Sequence, residues 1–519
     1  MVQLEDLPGN TTPRKAVRTK VRTGCITCRI RRVKCDEGKQ SCNRCLSTGR
    51  VCDGYDLTVR IVNPLGRARQ KGLARAAGGL AIPPTLLNGI LGTETERNFF
   101  YTCRRATEAG VALHICCVTS FWTRLAPQLS HEYEAVRHAV VAVGAAYHLY
   151  KVVDIASIPR ATKERIEIFI LQQYNRSISV LRQDISQKRY VHDTAIVLIC
   201  CLAYIYLESL RLNHAAAIGH LKNGIQIIES SVDLEALRNY TSARHRHKGK
   251  NAILSIQDLW GIVLQFRDCE LCMHCFSSEV PMTLGSKLYG KYSAKTTSTQ
   301  PKAIRDIAEG HEARVQLASE VMSRDWQWQG FKHQPTFWIE NHVQQELFSL
   351  QQRGRSIDLS LQAYMSSPAA PGKGTWEYYS LCMDMLHTAS ILAVIELMPV
   401  PPEEHAIVAQ SSSFQNEILS KMIAYGEEMH AVHTSLGWPP PDVSLETSIV
   451  GPMYWVYVYS IHPQNKKRAM KILQETKQRE GPWDAKQILM MLKWDSERQC
   501  SYQTLRKWGG DANCYEHPK

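Results

Sequence analysis

Six cysteines between Cys25 and Cys52 fall as C-x2-C-x6-C-x6-C-x2-C-x6-C. Thiolates at this spacing hold zinc, because a two-residue gap lets neighbouring sulfurs turn onto one tetrahedral ion. Six sulfurs are too many for one four-coordinate zinc and too few for two separate sites. Sharing resolves the count: if two sulfurs each bridge both ions, each ion has four ligands and all six cysteines are used. The arm Cys42, Cys45, Cys52 repeats the spacing of the arm Cys25, Cys28, Cys35, so the leading cysteine of each, Cys25 and Cys42, is the natural bridge. A disulfide framework would also use six cysteines, but it suits small secreted chains. This chain has 519 residues, no apolar signal stretch at its N-terminus and eleven further cysteines at scattered positions.

The arms differ in what fills their gaps. Arg29, Arg31, Arg32 and Lys34 lie between Cys28 and Cys35, whereas Arg50 is the one charged residue between Cys45 and Cys52. Carried on a short helix after Cys28, those cations would face a polyanion while the second arm braces them. The charge of the whole chain agrees. Residues 1–75 hold 17 Lys and Arg against 6 Asp and Glu, so they supply +11 of a net +13. The remainder is close to neutral. The stretch Arg14 to Arg22 reads as a basic arm, disordered when free and suited to phosphate contact and nuclear import.

On these residues the segment resembles the fungal Zn2Cys6 binuclear-cluster transcription factors. The resemblance implies a first helix that enters the DNA major groove and reads a CGG-type triplet. It places base contacts on Arg31 and Arg32, with Arg29, Lys34 and Arg44 toward phosphates. One departure is visible: the loop before the fourth cysteine commonly carries a proline where Gln40 stands here.

The elements that must position this cluster follow from composition and periodicity. Residues 1–22 form the basic arm, 23–54 the cluster domain and 55–91 a linker punctuated by Pro64, Gly66, Gly72, Gly78, Gly79, Pro83 and Pro84. No heptad seam follows the cluster, so dimeric reading of paired half-sites has no support there, and the oligomeric state stays open. Residues 92–519 show apolar residues at helical spacing with little strand-like alternation, and the chain is expected to be all-α. Helices are expected at 214–229, 253–276, 376–398 and 414–436, with breaks near 238–251, 284–303 and 352–375. The apolar run from Ala195 to Leu207 has 13 residues, short of the roughly 20 that cross a bilayer. It reads as a buried helix, and no membrane partner is expected.

Phe121-Trp122, Pro127-Gln128 and the run Ala135 to Gly144 resemble the opening of the fungal-specific transcription factor regulatory domain. Gly451-Pro452, the run Lys467 to Leu473, and Arg479-Glu480-Gly481-Pro482-Trp483-Asp484 resemble its close. That resemblance implies a helical control module and no catalysis. The competing sites are poor ones. Cys269-x2-Cys272-x2-Cys275 lacks the fourth cysteine of an iron–sulfur run, since Glu279 stands in its place, and reads as core together with Cys116-Cys117 and Cys200-Cys201. His245 and His247 sit in a basic loop and read as solvated. No nucleophile elbow, Walker loop or dinucleotide turn is present. The expectation is a non-enzymatic nuclear regulator that binds double-stranded DNA through two zinc ions and works with the transcription machinery or co-regulators on RNA polymerase II genes. A metabolic gene cluster is a natural target. The rival is a zinc-stabilised adaptor for RNA or protein; a helical enzyme with a DNA-binding appendage has no catalytic constellation behind it. Target genes, inducer and direction of control are not encoded legibly.

Overall fold

The computed structural model describes residues 25, 27–28, 31, 33–36, 42–50 and 52 of the cluster segment. Beyond it, 90–108, 121–155, 159–187, 193–242, 255–277, 280–293, 303–436, 443–444, 446–476 and 479–498 are described. The basic arm, most of the linker, Gln40, Cys116-Cys117, His245 and His247 lie outside the described residues. The chain divides into two compact units, 1–80 and 81–519.

The first unit contains the short helix α1 (Asn43–Leu46) on the second cysteine arm. The second unit is helical. Its first part comprises α2 (Glu94–Glu108), α3 (Ala126–Leu129) after a π turn at Phe121–Leu125, α4 (Glu134–Ile155), α5 (Arg160–Ser186), α6 (Asp193–Leu210), α7 (His214–Ser231) and α8 (Leu234–Ser242). Then come α9 (Ile256–Phe276), α10 (Leu284–Ser293), α11 (Ile307–Trp328), α12 (Asn341–Met365) and α13 (Trp376–Leu397). A π turn at Phe414–Leu419 leads into α14 (Ser420–Leu436), and α15 (Val450–Tyr459), α16 (Pro463–Thr476) and α17 (Ala485–Arg498) follow. The all-α expectation holds, with one small addition among the described residues. Three two-residue strands, β1 (Val443–Ser444), β2 (Arg479–Glu480) and β3 (Trp483–Asp484), pair in that order, β1 parallel to β2 and β2 antiparallel to β3.

Helix α9 is the hub. Ser255 caps it, accepting from the Asp258 backbone N–H at 3.1 Å while the Asp258 carboxylate accepts from the Ser255 N–H at 2.9 Å. Nearly all of its turns are buried, and it supplies Ile262, Val263 and Phe266 to the core of α4 to α7, Leu271 to the core between α11 and α13, and Cys272 to the core around α13 and α14. Cys269 and Cys272 are therefore core thiols as expected, while Cys275 faces outward, contrary to expectation. Cys275 sits in the last turn of α9, just past the stretch from Cys269 to His274 that is buried on every side. Cys200 and Cys201 are buried within α6.

Two buried carboxylates each close a helix N-terminus. Glu270 accepts from the N–H groups of Thr283, Leu284 and Gly285 at 2.8–2.9 Å and so starts α10. Glu480 accepts from Ser448 and Ile449, both at 2.8 Å, and so starts α15. Both satisfy orphan donors and meet the positive end of the helix.

Two expected breaks are helical instead: 284–293 forms α10, and 352–365 lies within α12. Gly354 explains the second. A Cβ there would stand 2.8 Å from Leu392 Cδ2 on α13, so this glycine permits close helix packing and does not mark a turn. Helix α13 has the length and apolarity to cross a membrane, but most of its apolar window is buried inside the protein.

Candidate zinc centre and nucleic-acid interface

The six sulfurs converge. Cys25 Sγ lies 3.6 Å from Cys42 Sγ and 3.8 Å from Cys45 Sγ; Cys28 Sγ lies 3.6 Å from Cys42 Sγ and 3.8 Å from Cys45 Sγ. A sulfur–sulfur bond is about 2.05 Å long, so these are not disulfides. Four sulfurs at about 2.3 Å from a tetrahedral zinc stand about 3.8 Å apart, close to the Cys25–Cys42, Cys25–Cys45 and Cys28–Cys42 spacings. Two four-sulfur sets emerge, Cys25, Cys28, Cys35, Cys42 and Cys25, Cys42, Cys45, Cys52, each with its atoms within 4.8 Å of one another. Cys25 and Cys42 belong to both sets, as the bridge required.

The backbone repeats itself across the two arms. The Cys28 N–H donates to Cys25 Sγ and the Cys45 N–H to Cys42 Sγ, each at 3.3 Å. The Cys25 N–H donates to Cys35 Sγ at 3.4 Å and the Cys42 N–H to Cys52 Sγ at 3.5 Å. Val33 N–H to Cys28 carbonyl and Arg50 N–H to Cys45 carbonyl are again equivalent, both at 3.0 Å. The N–H groups of Cys25, Cys28, Cys42 and Cys45 offset negative charge on the thiolates. Cys25, Cys28, Cys42 and Cys45 are fully buried, while Cys35 and Cys52 are partly exposed.

Burial among the other sulfurs pushes the Cys25 thiol up to about 12 and raises those of Cys28 and Cys42. Thiols so placed keep their protons at neutral pH unless a cation displaces them, so binding of zinc releases protons and acid competes with it. The residues fit two zinc ions, and what the ions supply is the fold itself, since Val33 is the one aliphatic side chain packed on the sulfurs among the described residues.

Among the expected DNA contacts, Arg31, Lys34 and Arg44 are described; Arg29 and Arg32 lie outside the described residues. Arg31 Nη1 donates to Thr48 Oγ1 at 3.1 Å. Thr48 stands 17 residues after Arg31, the same offset that relates Cys42 to Cys25, so this bond joins equivalent positions of the two arms. It ties the first cysteine arm to the second, and the guanidinium has further donors beyond the one that Thr48 receives. Lys34 and Arg44 are exposed.

Two positioning residues escaped the sequence reading. One is Thr48. The other is Asp36, whose carboxylate accepts from the Asn43 N–H at 2.9 Å and the Arg44 N–H at 3.0 Å, at the start of α1. An aspartate follows the last cysteine of each arm, Asp36 after Cys35 and Asp53 after Cys52, and that repeat was the available signal. The Arg44 N–H, with the Asn43 N–H in support, holds the Asp36 carboxyl below its ordinary value of 3.8. A depressed carboxyl stabilises the fold above its unfolded pKa, and that contribution is lost as pH falls through the folded value. Asp36→Ala is therefore expected to release zinc to a chelator faster than the unaltered chain at pH 7, with the difference narrowing as the pH falls toward the carboxyl's own range; equal rates at pH 7 would remove the role given to Asp36.

Residues 23–60 match the fungal Zn(2)-Cys(6) binuclear cluster domain. Similarity extends beyond that segment. The aspercryptin biosynthesis cluster-specific transcription regulator atnN of Emericella nidulans is 31% identical over 246 residues, 43% of this chain and 37% of that protein. Transcription regulator lscL of Purpureocillium lilacinum is 26% identical over 237 residues, 42% of this chain and 52% of its own length. Arginine metabolism regulation protein II of Saccharomyces cerevisiae is 45% identical over 53 residues, 10% of this chain and 6% of that protein. The matches thus span about half or less of these relatives' own lengths. No solved structure matches the chain. The cluster segment is a binuclear zinc domain of the fungal Zn(2)-Cys(6) family, and the relatives are fungal transcription regulators.

Proposed function

We propose that this chain is a nuclear, sequence-specific DNA-binding transcription regulator of RNA polymerase II genes, with the helical unit as its control module. The observation that carries the reading is the Arg31–Thr48 bond on a cluster whose two sulfur sets share Cys25 and Cys42. Metal binding orders a basic arm, and the second arm holds its guanidinium in place. Arg31, with Arg32, reads a CGG-type triplet, while Arg29, Lys34 and Arg44 meet phosphates and set register. The name of the Emericella relative favours control of a metabolite gene cluster. The last sequence motif of the helical unit supports a structural task for that unit. Arg479 pairs with Asp484 at 2.6 Å, donates to the Leu210 carbonyl at 2.9 Å and lies 4.6 Å from the Tyr150 ring centre, so it clamps the C-terminal hairpin to α4 and α6.

Arg31→Ala, with its zinc content unchanged, is expected to weaken binding of a CGG-containing duplex by about 1–3 kcal/mol and to flatten discrimination against a scrambled duplex. Lys34→Ala should weaken both duplexes alike and lower the salt slope by about one. Gel-shift titration at several salt concentrations reads both effects. Equal affinity for RNA and for the CGG duplex would replace DNA reading with the adaptor reading.

A further inference from the structure

The helical unit carries a cleft of about 410 Å3 between α12, α13 and α14 that DNA reading does not use. Its body is formed by Met365, Cys382, Ala424 and Tyr425, and its polar side by Lys373, Tyr378 and Glu428. Small-molecule sites usually measure roughly 300–1,000 Å3, with apolar and aromatic walls and a few placed polar groups, and this cleft has that make-up.

The polar groups are placed by local structure. Gly374 adopts a left-handed φ of +85°, which lets the chain turn into α13 immediately after Lys373. Thr375 then caps α13, accepting from the Tyr378 N–H at 3.2 Å and donating from its hydroxyl to the Gly372 carbonyl at 2.8 Å. The capped turn therefore sets Lys373 and Tyr378 on the same cleft. Charge within it is unevenly committed. Glu428 already accepts from the Tyr378 hydroxyl at 3.4 Å and faces Lys373 at 4.0 Å. Lys373 has three donors and this one distant partner in the cleft, and its side chain is 80% exposed. Burial pushes the Tyr425 hydroxyl up to about 12, so it stays a neutral donor.

We propose that this cleft binds a small aromatic carboxylic acid, with its ring between Tyr378 and Tyr425 and its carboxylate on Lys373. The aromatic walls favour a flat apolar body, and the Lys373 ammonium, held by Glu428 at 4.0 Å with donors to spare, selects an anion over an amine. The site goes beyond the DNA-binding reading and is tested without DNA, so the two can fail separately.

Calorimetric titration of the full zinc-loaded chain with 2-naphthoate, the neutral 2-naphthamide and the cationic 2-(aminomethyl)naphthalene tests it. The acid is expected to bind about two- to fivefold more tightly than either of the others, the size of an exposed ion pair. Lys373→Met should bring the acid down to the level of the amide. Ala424→Trp, at an exposed position where folding is not at stake, should fill the cleft and abolish binding of all three. No heat from the acid, tighter binding of the amine, or full binding by either variant would overturn the proposal.

Discussion

Cys42→Ser removes both zinc ions from the chain, whereas Cys52→Ser leaves one site whole. The asymmetry follows from which sulfurs are shared. Cys42 belongs to both four-sulfur sets, so its loss reduces each to three ligands, while Cys52 belongs to one and its loss leaves Cys25, Cys28, Cys35 and Cys42 intact. A serine hydroxyl at that position does not ionise to replace the thiolate. The effect is the largest expected anywhere in the molecule, because structural zinc contributes about 10–16 kcal/mol of apparent binding energy that serves as folding energy in such small domains. Native mass spectrometry should count two zinc ions on the unaltered chain, one on Cys52→Ser and none on Cys42→Ser. DNA binding should be absent from Cys42→Ser. Equal metal loss from the two variants would mean that Cys42 is not shared.

Arg314→Met is expected to destabilise the helical unit by about 3–5 kcal/mol, as removal of one partner from a buried ion pair does. Arg314 Nε donates to Asp384 Oδ1 at 3.1 Å, joining α11 to α13, with side chains 8% and 1% exposed. His311 Nδ1 lies 3.0 Å from the same carboxylate oxygen. Burial, reinforced by the Arg314 and Arg267 charges, drives the His311 imidazole well below its ordinary range, so it stays neutral while Arg314 is in place. Without Arg314 the Asp384 carboxylate, 1% exposed, loses its counter-charge inside the protein. Urea unfolding followed by helical circular dichroism measures the loss. Adding Asp384→Leu to Arg314→Met should recover most of it, because the cost lies in the abandoned charge more than in the missing attraction. A loss below about 1 kcal/mol for Arg314→Met alone would show that the pair is solvated.

Much of this architecture was legible in the residues. Cysteine spacing and ligand arithmetic gave the shared sulfurs, because tetrahedral coordination leaves few ways to use six thiolates. Apolar periodicity located α7, α9, α13 and α14 to within a few residues, since long helices with a continuous buried face repeat that signal over several turns. What escaped depends on contacts between distant positions. Gly354 reads as a turn residue until Leu392 on α13 stands against it. Cys275 reads as core until the neighbours of α9 are in place and leave that turn facing outward. The motif Arg479 to Asp484 gives no local hint that its arginine reaches the Leu210 carbonyl or that its glutamate starts α15. Within the cluster, Asp36 and Thr48 are ordinary loop residues by type. Their roles come from the pseudo-twofold arrangement, which brings Arg31 to Thr48 and the Asp36 carboxylate to the first N–H groups of α1. Arg31 itself was named as a reader of bases; its tether across the two arms was not foreseen.

Two zinc ions sharing Cys25 and Cys42 set the first cysteine arm with its cations. Zinc K-edge X-ray absorption on the full chain tests this most directly. The account predicts four sulfur neighbours per zinc at about 2.3 Å, together with scattering from a second zinc close by. Nitrogen or oxygen ligands in the first shell, or an isolated four-sulfur zinc with no metal neighbour, would contradict it.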